Sequence, residues 1–364
     1  SSKQIAESFM DNQILEHLYS IWEQLPDINL DILLIFTKLL DISLQLYRPF
    51  FIDHDIFQRL IPILQEFNNP DHTFDSISIH LVNAVCVICK FSSAFFNNSS
   101  ELPIMNSVPI IKTVITVYMN RFKFQEENKD LEVEKRFELC RYSLLTLSRF
   151  AHNDLAKCRV LVNYHLYKPL FEDFNSDNEI FFSNNLLILQ LIAYMFNSND
   201  NRLKNITEEN LNIHSFHPLL VYKEHDIVAP DIIAECINIF IGLVDIDPAK
   251  YGPFLVFYGI INELFDIIHF LPYKEFLSFI MLYYKVLTNN TKESIASNLI
   301  NESDIDRMVE VSDVEKNEPY VEYLKTIVLQ LYEICYKMPS IIEILDAAFD
   351  ENGILDGVPK PFLL

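Results

Sequence analysis

The chain has 364 residues, half of them hydrophobic, with only 5 glycines, and its 28 Lys and Arg face 51 Asp and Glu for a formal net charge of -23. A field of that sign repels phosphate backbones and anionic lipid, so neither nucleic acid nor a membrane surface is expected as a main partner. So little glycine excludes the phosphate loops, dinucleotide-binding turns and bladed β folds that consume it, and favours helices joined by short polar turns.

In chain order the apolar residues recur at helical spacing. Residues 1 to 7 are polar, so no secretory leader is expected there. Ile14, Leu15, Leu18, Ile21, Trp22 and Leu25 make one apolar stripe, broken at Pro26-Asp27. Asp31 opens a second helix that carries Leu33, Phe36 and Leu40 and is expected to end at Arg48-Pro49. Ile56, Leu60 and Leu64 begin the next, which stops at Asn68-Asn69-Pro70. Helices are then predicted over 77–91 and 104–119.

Between Arg121 and Arg136 the chain is highly charged and reads as an exposed loop or solvated helix ends inserted within a repeat. The apolar pattern resumes over 137–150. Residues 154–157 and 164–171 read as a short helix and its successor, and 180–196 as a buried helix. Residues 197–210 read as a polar connector. Helical runs follow at 211–221 and 232–244, and further ones at 320–336 and 338–349. The apolar run 186–196 is too short to span a bilayer and is interrupted by Gln190.

Two stretches repeat one layout. Phe240–Leu243, Asp247–Lys250 and Tyr258–Phe265 are followed by Tyr284–Leu287, Asn290–Glu293 and Glu302–Val309. The offset is about 44 residues, a period of helical repeat arrays. Units start near Asp11, His54, Met105, Tyr164, Asn212, Gly259 and Ser303, with a cap over 352–364. Their spacings of about 43 to 59 residues fit such arrays with loop insertions. No low-complexity linker interrupts 1–364, which reads as one domain of about seven repeats.

The run from Tyr258-Gly259 through Ile268, a small turn and then an amphipathic helix, and the run Leu144-Leu145-Thr146-Leu147-Ser148-Arg149-Phe150 resemble the armadillo-repeat family. The resemblance extends over nearly the whole chain at low identity and is shared in part with HEAT repeats. It implies an all-α fold, a right-handed α-α superhelix of stacked three-helix units. The third helix of each unit would line a concave groove.

On that alignment Lys38, Lys90, Arg149 and Lys285 stand where importin-alpha-like members keep an asparagine ladder. Leu34, Cys86, Leu145 and Met281 replace the tryptophans of that ladder. Basic residues at these places are closer to beta-catenin-like arrays, whose groove takes acidic ligands. With Arg141, these cations form the expected partner-binding groove: Lys38, Lys90, Arg141, Arg149 and Lys285. Exposed Lys and Arg on helices also serve solubility alone, and Glu333 takes the equivalent place in the last long helix.

No catalytic motif is present: there is no G-x-S-x-G, P-loop, H-E-x-x-H or kinase set. Cys86-x-x-Cys89 lies in an apolar run without a second pair, so buried thiols are expected rather than a zinc site. The six cysteines mostly sit in apolar helical runs and read as reduced core residues of an intracellular protein. His214-x-x-His217, with His225 nearby, borders Pro218 in a predicted loop and lacks a convincing carboxylate partner, so a solvated turn is expected rather than a metal site.

The function expected is a non-catalytic scaffold or adaptor that holds an extended segment of a protein or peptide partner. No cofactor or metal is expected, and the location would be cytoplasmic or nuclear. Two alternatives remain open: an importin-alpha-like nuclear transport adaptor, and a regulatory subunit or chaperone cofactor that grips a folded domain.

Overall fold

The computed structural model describes residues 13–24, 30–70, 77–97, 104–124, 128–152, 154–175, 179–196, 200–220, 230–267 and 271–289, with Ser8 and Glu343 besides. Among them every regular element is a helix. The expected helices at 320–336 and 338–349, the repeat start near Ser303 and the cap at 352–364 lie outside the described residues. Among the described residues no helix is long and apolar enough to cross a membrane.

The helices are α1 (Ile14–Gln24), α2 (Leu30–Ile42), α3 (Leu44–Asp53), α4 (Phe57–Phe67), α5 (Ile79–Phe95), α6 (Ile104–Met119), α7 (Lys129–Ala151), α8 (Leu155–Asn163) and α9 (Tyr167–Phe174). They continue with α10 (Glu179–Phe196), α11 (Asn201–Asn210), a 3-10 turn (Ile213–Phe216), α12 (His217–Leu220), α13 (Pro230–Ile246), α14 (Pro248–Phe257), α15 (Ile260–Asp266) and α16 (Tyr273–Asn289). The chain divides into two compact units, Ser1–Thr207 and Glu208–Leu364.

A short, a second short and a long helix follow one another as α3, α4, α5, as α8, α9, α10 and as α14, α15, α16. Local chemistry sets the breaks. Polar side chains cap the helix starts: Asn128 accepts from the amides of Asp130 and Leu131, Asp154 from Ala156 and Lys157, and Asp247 from Lys250 ahead of Pro248.

The turns between the short helices use left-handed backbone. Asp55, His165 and Gly259 have φ of 43°, 60° and 75°. At the first two, the next amide reaches back five residues: Ile56 donates to Phe51 at 3.3 Å and Leu166 to Leu161 at 3.1 Å. This C-terminal turn needs a positive φ at its last residue, which glycine adopts without strain and other residues do not.

Three sequence expectations are corrected. Pro49 does not end a helix. The break falls at Ser43, whose backbone is extended, and Pro49 sits inside α3. The polar connector after Asn197 is partly helical, as α11. The charged stretch from Arg121 is not simply an exposed insertion. Arg121 is buried and forms an ion pair with Asp173 of α9, and α7 begins at Lys129, well before the apolar pattern resumes.

In the N-terminal unit the long helices pack in a row: α2 on α5, α5 on α7, α7 on α10. A second row runs from α4 to α6 to α8. In the C-terminal unit α13 packs on α16, and α12 on α15. One short helix pair cannot bury its apolar face alone, so side-by-side packing supplies the core.

The buried aromatic rings carry that core through the N-terminal unit. Trp22 meets Phe36 at 6.0 Å, Phe36 meets Phe51 at 5.1 Å, Phe51 meets Phe91 at 5.4 Å, and Phe96 meets Phe150 at 5.7 Å. Most of these are edge-to-face, each worth about 0.5–1.5 kcal/mol beyond area burial.

Between α6 and α9 the core holds one charged cluster. Asp173 accepts from the Tyr118 hydroxyl at 2.5 Å and from the Arg121 guanidinium, which also donates to the Tyr118 carbonyl at 3.0 Å. Burial and the neighbouring carboxylate hold the Tyr118 phenol well above its ordinary pKa.

Candidate functional site

The long helices of the N-terminal unit carry polar side chains that are exposed or half-buried, and the expected cations fall among them unevenly. Small hydroxyl residues at the buried seam let α5 and α7 approach closely. Thr146 donates to the Cys89 carbonyl at 3.0 Å and to its own Tyr142 carbonyl at 2.7 Å, and Ser92 bonds back to Ile88 at 2.8 Å. Tyr142 and Arg149 lie one turn before and one turn after Thr146 on the same stripe and are therefore held against α5 as well.

Arg149 is half-buried on α7, and its Nη1 donates to the Ser93 carbonyl of α5 at 2.7 Å. Burial pulls its guanidinium below the usual pKa, and the nearby Asp41 carboxylate of α2 pulls it back up. An arginine stays cationic at physiological pH under such a shift. Lys90 of α5 is half-buried, with Nζ 5.5 Å from the Tyr142 ring centre. Lys38 is exposed on α2, one turn before Asp41.

Arg141 is exposed on α7, but its guanidinium leans over Phe137 of its own helix, 6.0 Å from the ring. Lys285 lies in the C-terminal unit, where it forms an ion pair with Asp245. Lys90 and Arg149 therefore meet at the junction of α5 and α7, and Arg149 also lies near Asp41 of α2, one turn from Lys38. Arg141 turns to its own helix, and Lys285 belongs to the other unit.

Sequence reasoning missed the rest of this face because it searched for charge. Tyr142 and His152 stand seven residues before and three after Arg149, on the same helical stripe, a spacing that could have found them. His152 Nδ1 lies 2.9 Å from the Tyr194 hydroxyl of α10, and Ser148 donates to Gln190 Oε1 at 3.1 Å. The face continues onto α10 as tyrosine and amide.

A second feature was also missed. A groove of about 900 Å³ runs between α4 and α6, lined among others by Pro62, Glu66, Asn69, Lys112 and Tyr164. Lys112 Nζ lies 5.5 Å from the Tyr164 ring. This groove belongs to the second row, α4 to α6 to α8, not to the helices that bear Lys90 and Arg149.

Other candidate chemistry resolves into packing. Cys86 and Cys89 are buried free thiols inside α5, and burial pushes Cys89 up to about 12 and Cys86 further. The expectation for the histidines is corrected. His217 begins α12 rather than lying in a loop, and it has a carboxylate partner distant in sequence: Nδ1 lies 2.7 Å from Glu263 Oε1 of α15. His214 packs edge-on against Tyr258 at 4.5 Å. Among the described residues no group of three or more His, Cys, Asp or Glu is arranged to hold a metal.

The fold and this face define an all-helical protein with a polar, locally cationic row of long helices. The chain matches no family model, and no curated protein is similar enough to stand as a relative.

Proposed function

We propose that the chain is an armadillo-like, right-handed superhelix and acts as a non-catalytic scaffold or adaptor. It would hold an extended segment of a partner protein across the exposed stripes of its long helices. The observation that carries this reading is the packed row of long helices α2, α5, α7 and α10, on which the half-buried Lys90 and Arg149 are ordered by a ring and a carbonyl. Side chains already ordered lose less entropy on binding. The recurrence of two short helices and a long one, with left-handed turns between the short ones, supports the repeat reading.

A nuclear-transport role would bring a basic cargo against Lys38, Lys90 and Arg149, and like charges oppose it. A cofactor that grips a folded domain would touch the partner at dispersed points rather than along one segment.

Site-specific photo-crosslinking separates these. A benzoylphenylalanine at Tyr142 or Tyr194, compared with one at Tyr164 in the α4–α6 groove, is expected to label one short continuous partner segment from the first two positions only. Labelling from Tyr164 alone would refute the assignment to the long helices. Labels scattered over a folded domain would favour the grip.

A further inference from the structure

α14 has the composition of a core helix but not the surroundings of one. Its 10 residues, Pro248–Phe257, include one charged side chain, Lys250. A helix apolar all round is normally buried all round. Here Tyr251, Gly252 and Leu255 are buried, and the opposite stripe is open. Lys250, Pro253, Phe254 and Phe257 follow one another along that stripe at i, i+3, i+4 and i+7, and Phe257 is 83% exposed.

The turn after α14 does not require that ring. Two residues before the left-handed position, the three short-helix turns carry Asp53, Asn163 and Phe257, all exposed. The N-terminal unit thus makes the same backbone twice with a polar side chain there. Phe257 is also supported from one side. Tyr258 stands 5.4 Å from it, and Phe254 and His214 lie 4.3 Å and 4.5 Å from Tyr258. These rings meet edge-on and order the surface before anything docks on it.

The charge around the stripe is one-sided. On α12 to α15 Lys250 is the single Lys or Arg, and it is ion-paired with Glu208. The same helices bear Asp231, Glu235, Asp245, Glu263 and Asp266. Of these, Asp245 meets Lys285 and Glu263 meets His217, and the balance stays negative. Over 208–364 the sequence holds 26 Asp and Glu against 10 Lys and Arg.

We propose that the open stripe of α14 is a further interaction surface and docks a cationic amphipathic helix of another protein. The apolar face of that helix lies on Pro253, Phe254 and Phe257, and its Lys and Arg side chains face the surrounding carboxylates. The stripe runs roughly 10 Å along α14, two helical turns, which is a ridge that a partner helix can pack against. A second copy of this chain would bring the same excess of carboxylates to the contact, and like charges oppose it. The surface lies in the C-terminal unit and owes nothing to the cations of α5 and α7.

The test uses labelled fourteen-residue peptides and fluorescence anisotropy on the full chain at physiological salt. One peptide sets leucines at i, i+3, i+4 and i+7 among lysines, an isomer of the same composition scatters its leucines, and a third replaces every lysine with glutamate. The first is expected to bind roughly tenfold tighter than either control, and Phe257→Asp to weaken it roughly tenfold. Val133→Asp makes the same charge change at an apolar residue 53% exposed in the N-terminal unit, and it should leave the affinity unchanged. Circular dichroism checks that each variant keeps its helicity. Equal losses from the two variants would mean that net charge alone drives binding, and the α14 surface would be wrong. Equal binding of the scattered isomer would overturn the helical partner, and equal binding of the glutamate peptide the cationic one. If none of the three peptides binds, α14 has no partner of this kind. Wild-type dimers in sedimentation velocity that Phe257→Asp converts to monomers would assign the stripe to a second copy instead.

Discussion

On α16 the cation Lys285 meets the carboxylate of Asp245 on the neighbouring long helix, whereas on α5 Lys90 meets a tyrosine ring and on α7 Arg149 meets a backbone carbonyl with the Asp41 carboxylate nearby. All three side chains bridge adjacent long helices or lie against one. A lysine matched by a carboxylate presents little net charge to a ligand. A cation steadied by a carbonyl or a ring is ordered and keeps its charge. On the proposed function, the partner that orders a cation, not its position on the helix, separates Lys90 from Lys285.

The two units also differ in what they bury, and the largest expected effect comes from there. The N-terminal unit alone shows a buried ion pair among the described residues, Arg121 with Asp173, both under 5% exposed. Asp173→Asn leaves the guanidinium uncompensated and should destabilise that unit by about 3–5 kcal/mol. The single tryptophan, Trp22, lies in the same unit and reports on it in a denaturant titration. Replacing both charges with Arg121→Met and Asp173→Leu should recover most of the loss. A loss below about 1 kcal/mol for Asp173→Asn would mean that the pair is wetter than its burial implies.

Thiols sharpen the same contrast at high pH. Cys86, Cys89, Cys140 and Cys158 of the N-terminal unit, and Cys236 of the other, are all held protonated by burial, with Cys89 and Cys158 pushed up to about 12. An unfolded thiol ionises near 8.5, at about 8–9. The folded state therefore holds the proton more tightly. The stability this contributes is complete below the unfolded value and drains away as pH rises towards about 12. Each thiol should remove up to about 1.4 kcal/mol per pH unit in that window. Trp22 fluorescence should show the N-terminal unit losing stability faster between pH 9 and pH 10.5 than helicity that includes both units. Cys89→Ala with Cys158→Ala should flatten that slope, and an unchanged slope would assign it to other groups.

How much of this was legible in the sequence depends on the range of the interaction. Periodicity located α6 at 104–119 and placed Lys90 and Arg149 on helices, because both depend on neighbours within a turn or two. The break at Ser43 was missed because proline is a strong local signal, and Pro49 is nevertheless accommodated within α3. The pairs Arg121 with Asp173 and His217 with Glu263 join residues 52 and 46 positions apart, and no local pattern encodes them. The aromatic half of the candidate face, Tyr142 and His152, lies at helical spacing from Arg149 but carries no fixed charge to single it out.

The turns between short helices give a smaller effect with opposite signs in the two units. Gly259 has φ of 75° and open space where a Cβ would stand, so Gly259→Ala meets no clash and should cost only the backbone strain, about 1 kcal/mol. Asp55 and His165 already bear that strain in the N-terminal unit. Asp55→Gly and His165→Gly should each recover up to about 1 kcal/mol, less the greater freedom glycine gives the unfolded chain. Both tests read directly in thermal melts. A destabilising His165→Gly would show that its contact with Tyr167, at 6.0 Å, outweighs the turn.

The smallest effect is the most discriminating. Lys285 and Asp245 are both partly open to solvent, with side chains 28% and 48% exposed, so their pair should contribute at most about 1 kcal/mol. Lys285→Ala is expected to lower the melting temperature by no more than a degree or two, a difference that should shrink further in 0.5 M salt because screening weakens the wild-type pair itself. Lys90→Ala should be equally mild for stability, since a partly exposed ammonium over a ring is worth about 0.5–1 kcal/mol. The two substitutions then differ only in binding: loss of affinity for the partner segment with Lys90→Ala, none with Lys285→Ala. Equal losses would mean that the carboxylate of Asp245 does not silence Lys285, and that a cation's structural partner says nothing about its availability to a ligand.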